Sequence, residues 1–305
     1  MPTHLHSFVL VALLAAAVGG HTTDQSQAQA KALLAVLGGL RKSGSYGRIA
    51  GTWKPVLNPD PCAGWVGVEC NGAGDVTGLD LSYLSLEGTL AGEISELHGL
   101  TTLNLSGNKL SSTLPSSIGQ LASLRVIKGH GNKFELPFPV ELAQCTELRV
   151  LSLPNNFLKG ELPPHLFELE ALEELTLHRN GLNGTIPMAI SELKSLRRLN
   201  LGMNLLGGQI PPCVGELSQT LNRLELHRNQ LSGTIPPGVA RLSALTTLDL
   251  SSNALHGHVP EDIGLLNLDT MSMDQNQRLD PPDPSGPLGG KLSKRRLKAG
   301  KNRMN

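Results

Sequence analysis

The chain has 305 residues, 26 basic against 26 acidic side chains, and only 3 % aromatics beside 34 Gly and 20 Pro. So little aromatic mass excludes a single thick core filled by large rings and points to many thin, similar layers. A formal charge of zero excludes a chain that seeks polyanions over its whole surface, so internal self-similarity is the next thing to look for.

An apolar run from Phe8 to Val18 opens the chain and is followed by Gly19 and Gly20. It is too short for a membrane-crossing helix and fits a cleaved signal peptide over residues 1–20. The expectation is an exported protein, secreted to the extracellular space or cell wall, where conditions are oxidising. The segment from Asp24 to Leu40, DQSQAQAKALLAVLGGL, then reads as a helix with an acidic start and a Gly-rich end. After Trp53 comes PDPCAGWVGVEC, Pro59 to Cys70.

From Val76 onward the chain repeats itself. Starts fall at Val76, Leu100, Leu124, Leu148, Leu172, Leu196, Leu221, Leu245 and Leu268. The period is 24 residues, with one insertion before Leu221 and one deletion before Leu268. Leucine-like residues occupy offsets +0, +3 and +5, Asn sits at +8, an apolar residue at +10 and often Gly at +12. An apolar-Pro pair often falls at +14 and +15, with apolar residues again at +18 and +21. Spacing of two between +3 and +5 is strand alternation, which turns +2, +4 and +6 to solvent. The residues at +8 are Asn108, Asn132, Asn156, Asn180, Asn204, Asn229, Asn253 and Asn276, and only the first repeat departs, with Leu84. An amide carries two donors and an acceptor, so this column reads as a structural ladder for backbone groups left unpaired where each strand ends.

The unit LxxLxLxxNxLxGxIPxxLxxLxx, nearly met by Leu172 to Ser195 and Leu221 to Ala244, resembles the plant-type extracellular leucine-rich repeat family. The segment before it, a helix, a Trp and two cysteines around Trp65, resembles that family's amino-terminal cap. The resemblance covers roughly residues 24–279. It implies an α/β solenoid, a right-handed leucine-rich repeat superhelix with a parallel concave sheet and a helical, disulfide-bonded cap. The domain layout expected is a signal peptide at 1–20, the cap at 21–75, eight complete repeats and a partial ninth at 76–279, and a Pro/Gly-rich basic tail at 280–305. In the cap, Cys62 and Cys70 are expected to pair, which stabilises by roughly 2–4 kcal/mol in general experience. Cys145 and Cys213 lie three coils apart, beyond the reach of a disulfide, and are expected to stay free. The closest builds within the family are polygalacturonase inhibitors and the ectodomains of receptor-like proteins and kinases.

Catalytic motifs fail one by one. No His-Glu-x-x-His or zinc spacing occurs, GPLGGKLS at 286–293 lacks the phosphate-loop pattern, and no nucleophile elbow appears. An enzyme is not expected, and neither a cofactor nor a metal is expected. Function is therefore assigned to the exposed strand face. Lys128 and His130 stand on it in the third repeat, Glu174, His178 and Arg179 in the fifth, Arg198 in the sixth, and Arg223, Glu225, His227 and Arg228 in the seventh. The eleven-residue stretches LHRNGLNGTIP and LHRNQLSGTIP put the two histidines in one column with Gly202 between them. Flanking positions such as Thr247, Asp249 and Ser251 read as bland. Arginine matches carboxylates, so the patch suits an anionic partner, although Glu174 facing Arg198 and Glu225 beside Arg223 would offset part of it. The histidines would strengthen such binding in mild acid.

Sequons at Asn104 and Asn183 mark expected glycosylation sites. The tail at 280–305 holds seven basic and two acidic groups, which leaves residues 1–279 at a formal −5 and offers nothing for nucleic acid. The expectation is a secreted, non-catalytic recognition module that binds a protein, peptide or acidic glycan through the concave face, in defence or cell-surface signalling. Its partner would be an extracellular protein or peptide, such as a membrane receptor kinase or a microbial wall-degrading enzyme. The alternative is a structural cell-wall or matrix adhesion protein acting partly through the basic tail.

Overall fold

The computed structural model describes residues 24–41, 49, 51–54, 57, 59–135, 137–276 and 278–280. The expected signal peptide and nearly all of the basic tail lie outside the described residues. The chain divides into two compact units, Met1–Phe157 and Leu158–Asn305.

Unit 1 starts with the cap. The expected helix spans Asp24–Gly39 and buries Ala30, Leu33, Val36 and Leu37. Its Gln29 accepts a 3.1 Å hydrogen bond from the Val76 amide through Oε1 and so covers a backbone donor of the first repeat. Leu40–Arg41 continues from the helix and pairs antiparallel with Gly88 and Glu87. Trp53 and Trp65 are buried and stacked with ring centroids 5.4 Å apart. Cys62 and Cys70 form the expected disulfide, with Cα atoms 5.7 Å apart. Val68–Cys70 then lies antiparallel on Val76–Asp80 and occupies the outer edge of the first repeat strand. An open repeat edge needs such a cover, because it has no neighbour on that side.

The repeat strands of unit 1 are Val76–Asp80, Thr102–Asn104, Val126–Lys128 and Val150–Ser152, parallel and in register. Those of unit 2 are Glu174–Thr176, Arg198–Asn200, Arg223–Glu225, Thr247–Asp249 and Thr270–Ser272, again parallel and in register. Each strand runs through offsets +2 to +4, and the leucines at +3 and +5 are buried in coil after coil, as alternation requires. The apolar residues at +18 sit in short 3-10 turns, for example Ser116–Gln120 with Ile118 and Met188–Glu192 with Ile190, that bring the chain back beneath the sheet. Cys145, at +21, replaces a leucine in that layer, and burial pushes its thiol up to about 11. Neither Cys145 nor the half-buried Cys213 is paired.

The Asn column is the ladder expected. Asn156 Nδ2 donates to Gly129 O at 2.9 Å in the preceding coil and to Leu153 O at 3.0 Å in its own, while its Oδ1 accepts from the Phe134 amide at 3.0 Å. In unit 2, Asn204 repeats this with Leu177 O, Leu201 O and the Leu182 amide. Just before each Asn, at +7, the backbone turns left-handed: φ is 67° at Gly107, 57° at Arg179 and 52° at Arg228. A second set of short strands, such as Lys159–Gly160 with Gly181–Leu182 and Ser232–Gly233 with Ala254–Gly257, follows the Asn. Sequence reading placed only a turn there.

The insertion before Leu221 is absorbed away from the sheet. The turn at Pro212–Leu217 has six residues where its neighbours have five, yet Arg198 still opposes Arg223 and Leu199 opposes Leu224. The deletion before Leu268 likewise leaves Thr247 opposite Thr270.

Replacing Asn156 by Ala strands the Phe134 amide and two carbonyls in a buried layer, so it should cost about 2–4 kcal/mol in urea unfolding, whereas the exposed Asn183→Ala should cost about 0.5 kcal/mol or less.

Candidate functional site

Four strands of unit 2 set the geometry of the charged face. Register aligns Glu174, Arg198, Arg223 and Thr247 in one row and Thr176, Asn200, Glu225 and Asp249 in the next. Adjacent strands lie about 4.8 Å apart, so each row brings its side chains within reach of their neighbours.

Arg198 occupies the centre, and it is not a free cation. Its Nη1 lies 3.7 Å from Glu174 Oε1 and its Nε 3.7 Å from Glu225 Oε2. The carboxylate of Glu225 therefore answers Arg198 across the strand pair, where the sequence pointed to Arg223. Neither contact reaches hydrogen-bonding distance, and both Arg198 Nε and Glu225 Oε2 are buried without a hydrogen-bond partner. Thr176, Asn200 and Gly202 also sit on the face but are buried, so they form its floor instead of its exposed surface.

The two histidines take different roles. The His227 ring lies over Gly202, where an added Cβ would come within 2.4 Å of Cε1, and its Nδ1 is 3.4 Å from Asp249 Oδ2. Asp249, read from the sequence as part of a bland flank, is thus part of the site. Its signal was its position at +4, opposite Glu225 and one row from His227. His178 is half-buried, its Nδ1 lacks a hydrogen-bond partner, and its pKa is lowered. Burial is the largest cause, followed by the positive charges of Arg198 and Arg179 and by His227. The histidine thus stays neutral into mild acid, and the strengthening in mild acid expected from the sequence is displaced to lower pH for this ring.

Arg179, Arg223 and Arg228 complete the patch. All three are exposed, and no carboxylate pairs with them among the described residues. Arg179 and Arg228 share the left-handed +7 position two strands apart, with Met203 at the same position between them. Two strand spacings separate their backbones by roughly 10 Å.

Lys128 and His130 belong to unit 1 and to a different set of neighbours. Lys128 lies in register with Asn104, which lies in register with Asp80. Burial raises the Asp80 pKa, but hydrogen bonding to Ser82 and Asn104 and the nearby Lys128 charge outweigh it and leave the pKa lowered. His130 shares a 2.8 Å hydrogen bond with the hydroxyl of Tyr83, a residue that sequence reading passed over. Of the two sequons, Asn183 is exposed, while Asn104 is half-buried and accepts from the Ser106 amide at 3.2 Å.

Stacked coils, an Asn ladder and a disulfide-closed cap define a leucine-rich repeat solenoid. The comparisons agree. A leucine rich repeat family model matches residues 146–206, and a single-repeat one matches 99–121, 220–242 and 244–266. Among solved structures, PEPR1–AtPEP1 is 34% identical over 82% of this chain and 35% of that one, with a TM-score of 0.74. A plant peptide hormone receptor, RGFR1 in complex with RGF2, is 34% identical over 63% of this chain and 31% of that one, with a TM-score of 0.61. A plant ice-binding protein is 25% identical over 80% of this chain and 85% of that one, with a TM-score of 0.64. The chain spans about a third of the length of the first two. Among curated proteins, no sequence matches it. The chain is a leucine-rich repeat protein, and its repeats are of the plant extracellular type.

Because the folded state binds the His178 proton less readily than the unfolded chain, stability should fall as pH drops below about 6.5, the unfolded histidine value. Thermal melts from pH 7.5 to 5 should show this acid decline in the native chain and a shallower one in His178→Gln.

Proposed function

We propose that the chain is a secreted, non-catalytic recognition module whose unit 2 strand face binds an acidic segment of an extracellular protein or peptide. The observation that carries the reading is the charge arrangement. Glu174 and Glu225 together outweigh the single charge of Arg198 at the centre, while Arg179, Arg223 and Arg228 present exposed guanidinium groups around it. Guanidinium donors bind carboxylates in a two-pronged geometry, and such bonds are about twice as strong as neutral ones. The buried, partnerless polar atoms of His178, Arg198 and Glu225 add hydrogen-bonding capacity beneath that rim.

The receptors among the structural neighbours support a peptide or protein ligand, since one is described as a plant peptide hormone receptor in complex with RGF2. In this reading the role is receptor-like or enzyme-inhibiting, in defence or cell-surface signalling, and the partner is a membrane receptor kinase or a microbial wall-degrading enzyme. A solenoid fixes the scaffold, and a few surface residues choose the partner. The likeness to an ice-binding protein does not bring that activity here.

The test is capture from the source organism's secreted and cell-surface extract. The baits are the mature chain and an Arg179→Glu, Arg223→Glu, Arg228→Glu variant with an unchanged melting temperature. A partner retained by the native chain should be lost from the variant, and its affinity should fall about tenfold or more as salt rises from 50 to 500 mM. Equal capture by both baits would refute the strand-face reading and favour adhesion through the basic tail.

A further inference from the structure

Tyr83 is 67 % exposed, yet its ring is held in place. It takes the left-handed +7 position with φ 56°, which the next two coils give to Gly107 and Gly131. Later coils put Arg179, Met203 and Arg228 at this position, so the scaffold accepts a side chain there without calling for an aromatic one. The ring lies flat across Gly107, where an added Cβ would come within 2.4 Å of Cδ1. The hydroxyl is tied to His130 Nε2 at 2.8 Å, and the imidazole meets the ring edge-on, with centroids 5.6 Å apart. One face of the tyrosine is therefore covered by glycine backbone, and the other meets solvent.

The surroundings of that open face are polar. Asp80 ends the first repeat strand and Ser82 stands in the turn between it and Tyr83, while Lys128 lies in the same register row as Asp80, two strands away. Asp80 is held ionised, and the Lys128 ammonium is close enough to act on its charge. An apolar peptide side chain would need apolar walls around the ring, and none of these neighbours supplies one. A pyranose ring needs a different environment, a flat aromatic surface for its C–H face and hydrogen-bonding groups around its rim. Because the carboxylate and the ammonium offset each other, the site favours a neutral sugar over a uronate.

The geometry points to a carbohydrate subsite in unit 1, with Tyr83 as the stacking platform for a neutral pyranose ring and Asp80 and Lys128 bonding its hydroxyls. This site shares no residue with the arginine patch of unit 2 and stands or falls independently of the reading proposed for it.

The experiment offers β-1,4-linked tetrasaccharides of glucose, xylose and galactose to the mature, disulfide-intact chain after removal of any N-linked glycan. Saturation-transfer NMR reports which sugar protons touch the protein, and its amplitude titrated against sugar concentration gives the affinity for the native chain and for each variant. At least one tetrasaccharide should show contact through one ring face. Tyr83→Ala should weaken it about tenfold, while Tyr83→Phe, which keeps the stacking surface, should stay within about threefold. The melting temperature of each variant checks that the fold survives. Absence of saturation transfer from all three sugars would overturn the proposal, as would equal binding by Tyr83→Ala. A tetraproline peptide that binds in a Tyr83-dependent way while the sugars do not would also overturn it and make the platform a peptide site.

Discussion

A chain that leaves a three-residue strand every 24 residues must satisfy the backbone groups it turns inward, and here one side-chain amide in each repeat after the first does so. Asn156 bonds two carbonyls in adjacent coils and one amide of the coil before it, and Asn204 does the same in unit 2. Without that amide the bend after the strand would bury unpaired polar groups, each costing about 1–3 kcal/mol. The other features follow from it. The left-handed residue at +7 aims the chain so that the Asn points inward, and the leucines at +3 and +5 pack beneath the same bend. Because bonding is handled inside, the outward offsets are free to vary, and the candidate sites lie there.

That freedom is still constrained by register. Residues at one offset stand side by side at about 4.8 Å, so a charge placed on one strand meets whatever stands at the same and adjacent offsets of its neighbours. In unit 2 this brings Glu174 and Glu225 to Arg198 and Asp249 to His227. These pairs are half-buried and at 3.4–3.7 Å, too long for strong direct bonds, so each contributes little stability, about 1 kcal/mol or less. Their effect is on shape of charge, with an acidic centre and a cationic edge.

Most of the scaffold was legible in the sequence because period, Leu spacing and the Asn column are local patterns. The cap was legible only through its resemblance to the family's amino-terminal cap, carried by the helix, the tryptophans and the two cysteines around Trp65. The second strand ladder was not, since Lys159–Gly160 or Gly181–Leu182 carry no alternation and become strands only when stacked on the neighbouring coil. The pairing of charges was half legible. Offsets place Glu174 beside Arg198, but the choice of Glu225 for Arg198 instead of Arg223 depends on which way a long side chain leans. Tyr83 was missed because it lies in the first repeat, the one that lacks the Asn, with Leu84 at +8. Its importance lies in contacts with Gly107 and His130, one and two coils on.

The six-residue turn at Pro212–Leu217 shows where this architecture takes up change in length. An added residue swells the turn side of one coil and is not transmitted to the strands, which keep their one-to-one alignment. The two sides of the molecule are therefore decoupled as surfaces for variation. The turn side can lengthen or shorten without disturbing the rows that a ligand would read, so a new specificity can be reached by changing single side chains on a grid whose spacing stays constant.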